Sequence, residues 1–170
     1  MNTLDQRILA ALQANARIKN VDLSRELGVA PSTVLERVRR LEEQGWIEGY
    51  RALVSPEKLG LTIQSFVAVI LDRHEVDAIQ AFEQGIQQVP YVRICYHVAG
   101  RFDYLLHVVA RDLEHLGELI KNQIASIPGI GKVESFPIYS EVQPDKGWPI
   151  AEDLAESPTK EGQNAQKDDP

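Results

Sequence analysis

The chain has 170 residues, a formal net charge of −7 and a composition that is 44% hydrophobic and 25% charged. That length fits one medium domain or two small ones, and the composition is typical of a folded globular protein. The longest apolar run is Phe66 to Leu71, far shorter than the roughly 20 residues that cross a bilayer. We therefore expect no membrane span. A single cysteine excludes an intramolecular disulfide and a multi-cysteine zinc site.

The N-terminus places an acidic residue before any apolar stretch and has no basic segment, unlike a secretory signal, so we expect a cytoplasmic protein. Charge is unevenly distributed: residues 1–55 carry +1, whereas residues 56–144 and 151–170 carry −4 each. Phosphate binding depends on local basic clusters, so the acidic total does not exclude nucleic acid. The densest basic group lies in the first third, at Arg37, Arg39 and Arg40.

Two short helices are predicted before residue 30. Thr3 and Gln6 have the spacing of a capping box, which predicts that the first helix begins at Thr3 as its N-cap. The apolar periodicity of this helix ends at about Asn15. Asn20 is predicted to cap the second helix, and Gly28 is suited to end it.

A third helix is predicted almost immediately. Only two residues separate Gly28 from Pro31, and proline is favoured at the first helical position. Apolar residues then recur at helical spacing until Gly45. Three helices with a tight turn between the last two indicate a helix-turn-helix. Residues 46–54 fit a short hairpin-like wing.

The second half of the chain alternates between strand and helix periodicity. The predicted elements are a strand over 63–71, a helix over 76–89, strands over 91–98 and 104–109, a helix capped by Asp112, and a strand over 132–141. This β-α-β-β-α-β order predicts a four-stranded antiparallel sheet with both helices on one face. Apolar residues also occupy the other face, so we expect a second copy of the chain to cover it.

These patterns divide the chain into four segments. We predict a winged helix-turn-helix domain over 1–54, a linker over 55–62, a ferredoxin-like domain over 63–144 and an acidic tail over 145–170. Periodicity vanishes in the tail, and residues 151–170 are expected to be disordered.

Four motifs occur in a characteristic order: NARI at 15–18, LERVRRLE at 35–42, GxIxGY at 45–50 and GxxDYLL at 100–106. Together they closely resemble the Lrp/AsnC family of bacterial and archaeal transcription regulators, over roughly residues 3–143. The resemblance implies an α+β architecture with an N-terminal winged helix-turn-helix and a C-terminal ferredoxin-like βαββαβ effector domain of the RAM type. It also implies double-stranded DNA and an amino acid or related metabolite as partners. Homodimers would assemble into higher even-numbered oligomers, of which an octamer is one expectation. One departure is Ala30, where many relatives carry a capping Ser or Thr.

The third helix is the candidate DNA-reading element. Recognition helices touch bases mainly with their N-terminal half, where the polar residues are Ser32, Thr33 and Glu36. The basic residues, which suit phosphates, are Arg37, Arg39 and Arg40. The alternative is a solvated helix face with Glu–Arg pairs.

A glycine-containing turn between two predicted strands is the candidate effector site. Its backbone amides can receive a carboxylate, its acidic side chain an ammonium group, and its aromatic rings an apolar side chain, which together describe a free α-amino acid. The residues concerned are Gly100, Arg101, Phe102, Asp103 and Tyr104. The alternative role for Asp103 is to cap the local backbone. The resemblance implies that the turn lies where two dimers meet and that a neighbour's last strand, near Ile138 and Ser140, completes the site.

No catalytic or metal-binding constellation is evident. The histidines, at positions 74, 97, 107 and 115, lack the usual metal-ligand spacings, so we expect neither metal nor cofactor. Cys95 has no evident adjacent base and is expected to be a small buried residue rather than a nucleophile.

We therefore expect a sequence-specific transcription regulator modulated by a small amino-acid-like effector, and not an enzyme. Two alternatives remain at this stage. One is a low-specificity nucleoid-organising protein with the same fold. The other is a small-molecule-binding or enzymatic ferredoxin-like domain that carries a helical extension.

Overall fold

The computed structural model describes residues 2–150, which fall into two compact units. Of the described residues, one unit comprises 2–52 together with 144–150, and the other comprises Leu53–Gln143. The expected disorder of residues 151–170 concerns a segment outside the described residues. Within the described part, no helix is long and apolar enough to span a membrane.

The first unit contains the three predicted helices, α1 (Thr3–Ala14), α2 (Asn20–Leu27) and α3 (Pro31–Glu43). The predicted caps of α1 and α2 are wrong by one residue. Asn2, not Thr3, caps α1, and its side-chain oxygen accepts from the backbone N–H of Asp5 at 2.9 Å. Asn20 is already helical, so Lys19 occupies the N-cap of α2, and its ammonium group has no acceptor with which to cap the helix. The amide of Asn2 satisfies one of the backbone donors that every helix start leaves free.

A tight turn connects α2 to α3. Gly28 adopts φ +70°, a left-handed conformation that glycine accepts without strain, and ends α2. Ala30 then occupies the N-cap of α3 without a side-chain hydrogen bond, and Pro31 is the first helical residue. The three helices close on a small apolar core, whose fully buried members are Ile8, Leu23, Val34 and Leu41.

The predicted hairpin after α3 is not present. Residues 46–54 contain no strand, and two short strands with no further partner are only marginally stable. The middle of this segment is attached to α3, because the Tyr50 hydroxyl donates to a carboxylate oxygen of Glu42 at 2.8 Å. Partial burial, and then this hydrogen bond to Glu42, raise the pKa of Tyr50 to about 12.

The second unit is a four-stranded antiparallel sheet with strand order β2-β3-β1-β4. Its elements are β1 (Ile63–Leu71), α4 (Val76–Ile86), β2 (Val92–His97), β3 (Tyr104–Ala110), α5 (Leu113–Leu119), a π-helical turn (Ile120–Ile124) and β4 (Ile130–Pro137). This confirms the predicted ferredoxin-like order. A 3-10 turn, Glu57–Leu59, lies within the predicted linker. The predicted cap of α5 is also confirmed, since Asp112 accepts from the backbone N–H of His115 at 2.7 Å.

The last strand is shorter than predicted and ends at Pro137 instead of continuing to residue 141. Proline has no backbone N–H to donate to a neighbouring strand, which favours a strand end there. One further backbone contact follows, from the N–H of Ile138 to the carbonyl of Gln64 at 2.8 Å.

The two faces of the sheet differ. The face covered by α4 and α5 carries the core, which includes Val67, Val69, Leu106 and Val108, all fully buried. The register places Phe66, Ile94, Tyr96 and Phe136 on the other face, where each exposes between 39% and 52% of its surface. We refer to this second side as the helix-free face.

Candidate functional site

The outer surface of α3 carries the residues predicted to read bases. Ser32 and Glu36 are exposed, and Thr33 is half-buried, all in the N-terminal half of the helix. Pro31 begins the helix without a side-chain cap, and the N–H groups of Thr33 and Val34 donate to the carbonyl of Ala30 at 3.0 and 3.2 Å. The arrangement can place hydroxyl and carboxylate groups against a groove of DNA.

The three arginines of α3 form one basic group in the sequence, but in the structure they do not form one exposed group. Arg39 is exposed and pairs with Glu43 one turn later, at 2.8 Å. Arg37 and Arg40 both turn toward α1, where the carboxylate of Asp5 lies within 3.2 Å of each. The side chain of Arg37 is only 27% exposed, so it lies on the flank of the helix and not on its outer surface. The helical spacing explains this, because Arg37 lies about 60° from the core residue Val34.

Leu35 was missed by the sequence reasoning. It lies outside the core stripe of α3 and is 57% exposed beside the polar residues of the outer surface. An exposed apolar side chain on a recognition helix can pack against a thymine methyl group. An apolar residue among the polar residues of the predicted helix surface was the signal in the sequence that could have identified it.

The predicted effector turn is tightly braced. Gly100 has φ +144°, which favours glycine, and two backbone hydrogen bonds close the turn. The N–H of Val98 donates to the carbonyl of Asp103 at 2.9 Å, and the N–H of Asp103 donates to the carbonyl of Val69 at 3.0 Å. These contacts fix the turn to the end of β1.

The Asp103 carboxylate is already engaged on both oxygens. Oδ2 accepts from the backbone N–H of Leu71 at 2.7 Å, and Oδ1 lies 2.9 Å from Nε2 of His74. The Leu71 hydrogen bond lowers the pKa of Asp103, assisted by His74 and the nearby His97, against an opposing effect of burial. Asp103 therefore caps the backbone of β1, 32 residues away in the sequence, and not that of its own turn, and it remains ionised at neutral pH. A carboxylate has about four acceptor positions, so these two contacts do not exhaust its capacity.

Phe102 and Tyr104 have different surroundings. The Arg101 guanidinium lies 4.4 Å from the centroid of the half-buried Phe102 ring, and Phe102 meets Phe136 edge-on at 6.2 Å. Tyr104 is only 2% exposed and belongs to the core, so the predicted aromatic surface comes from Phe102 and not from Tyr104. The Tyr104 hydroxyl donates to Glu83 at 2.9 Å, and burial together with this contact raises the pKa of Tyr104.

Ile138 and Ser140 follow β4, whereas the turn of residues 100–104 precedes β3, and the two segments bond to different points of β1. Ile138 contacts Gln64, whereas Asp103 contacts Val69, and five residues of β1 correspond to about 17 Å. Ile138 and Ser140 instead border a shallow groove of the second unit with Phe66 and His107. Within one chain, the turn reaches this segment through the ring contact of Phe102 with Phe136, two residues before Ile138.

Cys95 is exposed, contrary to the prediction that it is buried, because β2 is an edge strand of the sheet. Partial desolvation of the thiol and the nearby Glu83 carboxylate raise the pKa of Cys95 to about 11, so the thiol is protonated at neutral pH.

Among residues 2–150, no group of three or more His, Cys, Asp or Glu side chains is placed to hold a metal ion.

Comparisons with known proteins agree with this architecture. A family model described as the Lrp/AsnC ligand binding domain matches residues 64–148, and one described as a winged helix-turn-helix DNA-binding domain matches residues 1–48. The leucine-responsive regulatory proteins of Klebsiella pneumoniae and Escherichia coli K12 are 36% identical over 143 residues. Those matches cover 84% of this chain and 87% of each relative.

Solved structures show the same similarity. A transcriptional regulator of Neisseria meningitidis, crystallised as a complex with L-Met, superposes with a TM-score of 0.84 at 31% identity. That superposition covers 88% of this chain and 96% of the other. AsnC of Escherichia coli superposes with a TM-score of 0.78 at 27% identity and covers 86% and 99% of the two chains.

Proposed function

The chain belongs to the Lrp/AsnC family of transcription regulators, and from that premise we propose that it recognises operator DNA through α3 and responds to a free amino acid bound at the turn of residues 100–104. The proposal includes a cytoplasmic location, because the protein would act where its DNA is. The proposed function needs no catalytic step. Its two parts, DNA recognition and effector binding, rest on different residues and are tested separately.

The DNA-binding proposal is supported most strongly by α3, a helix that follows a tight turn and exposes polar groups at its N-terminal half. Ser32, Thr33 and Glu36 contact base edges, and a glutamate can accept from the amino group of cytosine. Phosphates are bound by Arg37, Arg39 and Arg40. These basic contacts supply most of the affinity, whereas the base contacts supply the sequence preference.

Selection of bound sequences from a random duplex pool tests this part. The expected result is one inverted-repeat motif that the protein protects in footprinting. Glu36→Ala should relax the preference at one position of each half-site and leave the rest of the motif unchanged. Enrichment of no motif would instead favour a low-specificity, nucleoid-organising role.

The effector proposal is supported by an ionised carboxylate beside free turn amides and an aromatic ring. Asp103 accepts the α-ammonium group with its remaining acceptor positions, and the N–H groups near Gly100 and Arg101 receive the α-carboxylate. Phe102 packs against the effector's side chain. The L-Met complex of the Neisseria meningitidis regulator supports a free amino acid as the chemical class.

The second half of the effector site comes from another copy of the chain. The backbone contacts of Ile138 and of Asp103 lie five residues apart along β1, about 17 Å, which supports a site that Ile138 and Ser140 of a neighbouring copy complete. The helix-free face supplies the dimer contact, since its exposed aromatic residues have no helix over them. Dimers then associate further, into an octamer or another even-numbered assembly.

A thermal-shift screen of the free amino acids tests the effector part, because a ligand that binds only the folded protein raises its melting temperature. One or a few amino acids should stabilise the wild-type protein. Asp103→Ala should abolish that shift while DNA binding without effector is retained. A normal shift in the variant would refute this location of the site.

A further inference from the structure

The carboxylate of Asp5 lies at the centre of a contact between α1 and α3 that the proposed function does not use. Asp5 is 4% exposed, although it belongs to the first turn of a helix at the surface of a small unit. Its Oδ1 accepts from Nη1 of Arg37 and Nη2 of Arg40, each at 3.2 Å, and its Oδ2 accepts from Nη2 of Arg40 at 2.9 Å. Two cations of α3 therefore share one buried anion.

We propose that Asp5 is a positioning residue for DNA binding, which holds the guanidinium groups of Arg37 and Arg40 in the orientation that meets the phosphate backbone. This inference rests on the proposed role of α3. It assigns to α1 a part in recognition that goes beyond packing the helical core.

The geometry leaves both arginines able to bind phosphate while Asp5 holds them. A guanidinium group has five N–H donors, and Asp5 contacts one nitrogen of each arginine. The Arg40 side chain remains 44% exposed and the Arg37 side chain 27% exposed, so each has donors directed away from Asp5. The buried carboxylate thus fixes one side of each guanidinium group and leaves the other side accessible.

Fixing these side chains in advance matters because arginine has many rotamers. A free arginine loses much of that freedom when it binds a phosphate, which weakens the contact. Arg37 and Arg40 are already ordered by the ion pairs in the free protein. Arg39 is not ordered in the same way, because its only ion pair within residues 2–150 is an exposed one with Glu43.

Asp5 also removes one of the two positive charges that Arg37 and Arg40 bring. If charge alone mattered, loss of Asp5 would strengthen binding to any DNA, because phosphate attraction would increase. If positioning matters, loss of Asp5 weakens binding despite the gain in charge. The two accounts therefore predict opposite signs.

The experiment compares Asp5→Asn with Asp22→Asn in the full-length protein. Asp22 pairs with Arg25 in the exposed part of α2 in the same unit, so its replacement removes the same charge without disturbing Asp5. Affinity is measured for the selected duplex and for a scrambled duplex of equal length, at a temperature where far-ultraviolet circular dichroism shows every variant folded. If Asp5→Asn does not fold, Asp5→Glu replaces it, which keeps the charge and displaces the carboxylate by one methylene.

Asp5→Asn should bind the selected duplex about tenfold more weakly than Asp22→Asn, which should match or slightly exceed the wild type. In an Arg40→Lys background, which keeps the charge but removes the fork, the effect of Asp5→Asn should shrink to about threefold or less, as expected for residues that act together. A role in folding alone would not produce this coupling below the melting transition.

Equal affinities of Asp5→Asn and Asp22→Asn on both duplexes would overturn the inference, as would an undiminished effect in the Arg40→Lys background. Failure of the proposed function has a different signature. In that case the wild-type protein would bind the selected and scrambled duplexes equally, and the comparison of Asp5→Asn with Asp22→Asn on either duplex would still decide the role of Asp5.

Discussion

Replacement of Asp103 by alanine separates its structural role from its proposed effector role. The variant removes the acceptor of the Leu71 N–H, which lies in a residue that is only 3% exposed. A hydrogen bond to a charged group contributes about 1.5–3 kcal/mol, and the partial exposure of Asp103 favours the lower end. We therefore expect a loss of about 1.5 kcal/mol in the free energy of unfolding at pH 7.

The pH dependence of this loss gives the sharper test. Because the pKa of Asp103 is lowered in the folded protein, its stabilisation is present at neutral pH and disappears as the pH falls through that lowered value. The difference between wild type and Asp103→Ala should therefore shrink below about pH 4.

Urea unfolding of both proteins at pH 7 and pH 3 measures this difference. Glu118→Ala, which removes an exposed carboxylate from α5, serves as the control and should lie within about 0.5 kcal/mol of wild type. Equal stability of wild type and Asp103→Ala at pH 7, or a difference that persists undiminished at pH 3, would refute the assigned hydrogen bond.

Three further predictions concern DNA binding and assembly. Arg39→Ala should weaken binding to all duplexes and reduce the salt slope by about one unit of log K per log salt, measured by anisotropy titrations in rising salt. Leu35→Ala should lower affinity only for duplexes with thymine at the contacted position, by about 1 kcal/mol, which a panel of single-base variants would reveal. Phe136→Asp places a charge on the helix-free face and should shift sedimentation toward the monomer, whereas an unchanged oligomer would contradict a dimer contact there.

The order of helices and strands was predictable because it depends on local periodicity. The strand β1 has the predicted bounds, since its apolar and β-branched residues are interrupted by polar or turn residues at both ends. The turn at Gly28 was also predictable, because few residues other than glycine adopt its positive φ.

The partners of charged side chains were not predictable, because they lie far away in the sequence. The ion-pair partners of Asp5, for example, are 32 and 35 residues further along the chain. Asp103 pairs with His74, which is 29 residues away. These contacts arise from the packing of elements, and local patterns carry no information on them.

Tyr104 illustrates a third limit, which is strand register. Successive side chains in a strand point to opposite faces, so a shift of one residue would move Tyr104 from the core to the helix-free face. Its pairing with Val69 places it on the side of the sheet covered by helices. The motif of the turn can be recognised in the sequence, but the burial of Tyr104 depends on that strand pairing.

The two ends of β1 explain why an effector at this site would act on assembly. The turn that holds Asp103 contacts the end of β1 near Val69, and the segment with Ile138 contacts the other end near Gln64. In the proposed site one chain supplies the turn and another supplies Ile138 and Ser140, so an effector contacts both chains at once. Its binding free energy therefore differs between separate and associated dimers, and by linkage association must change effector affinity by the same factor. An effector that bound equally well to both forms would leave the assembly, and any DNA arrangement that depends on it, unchanged.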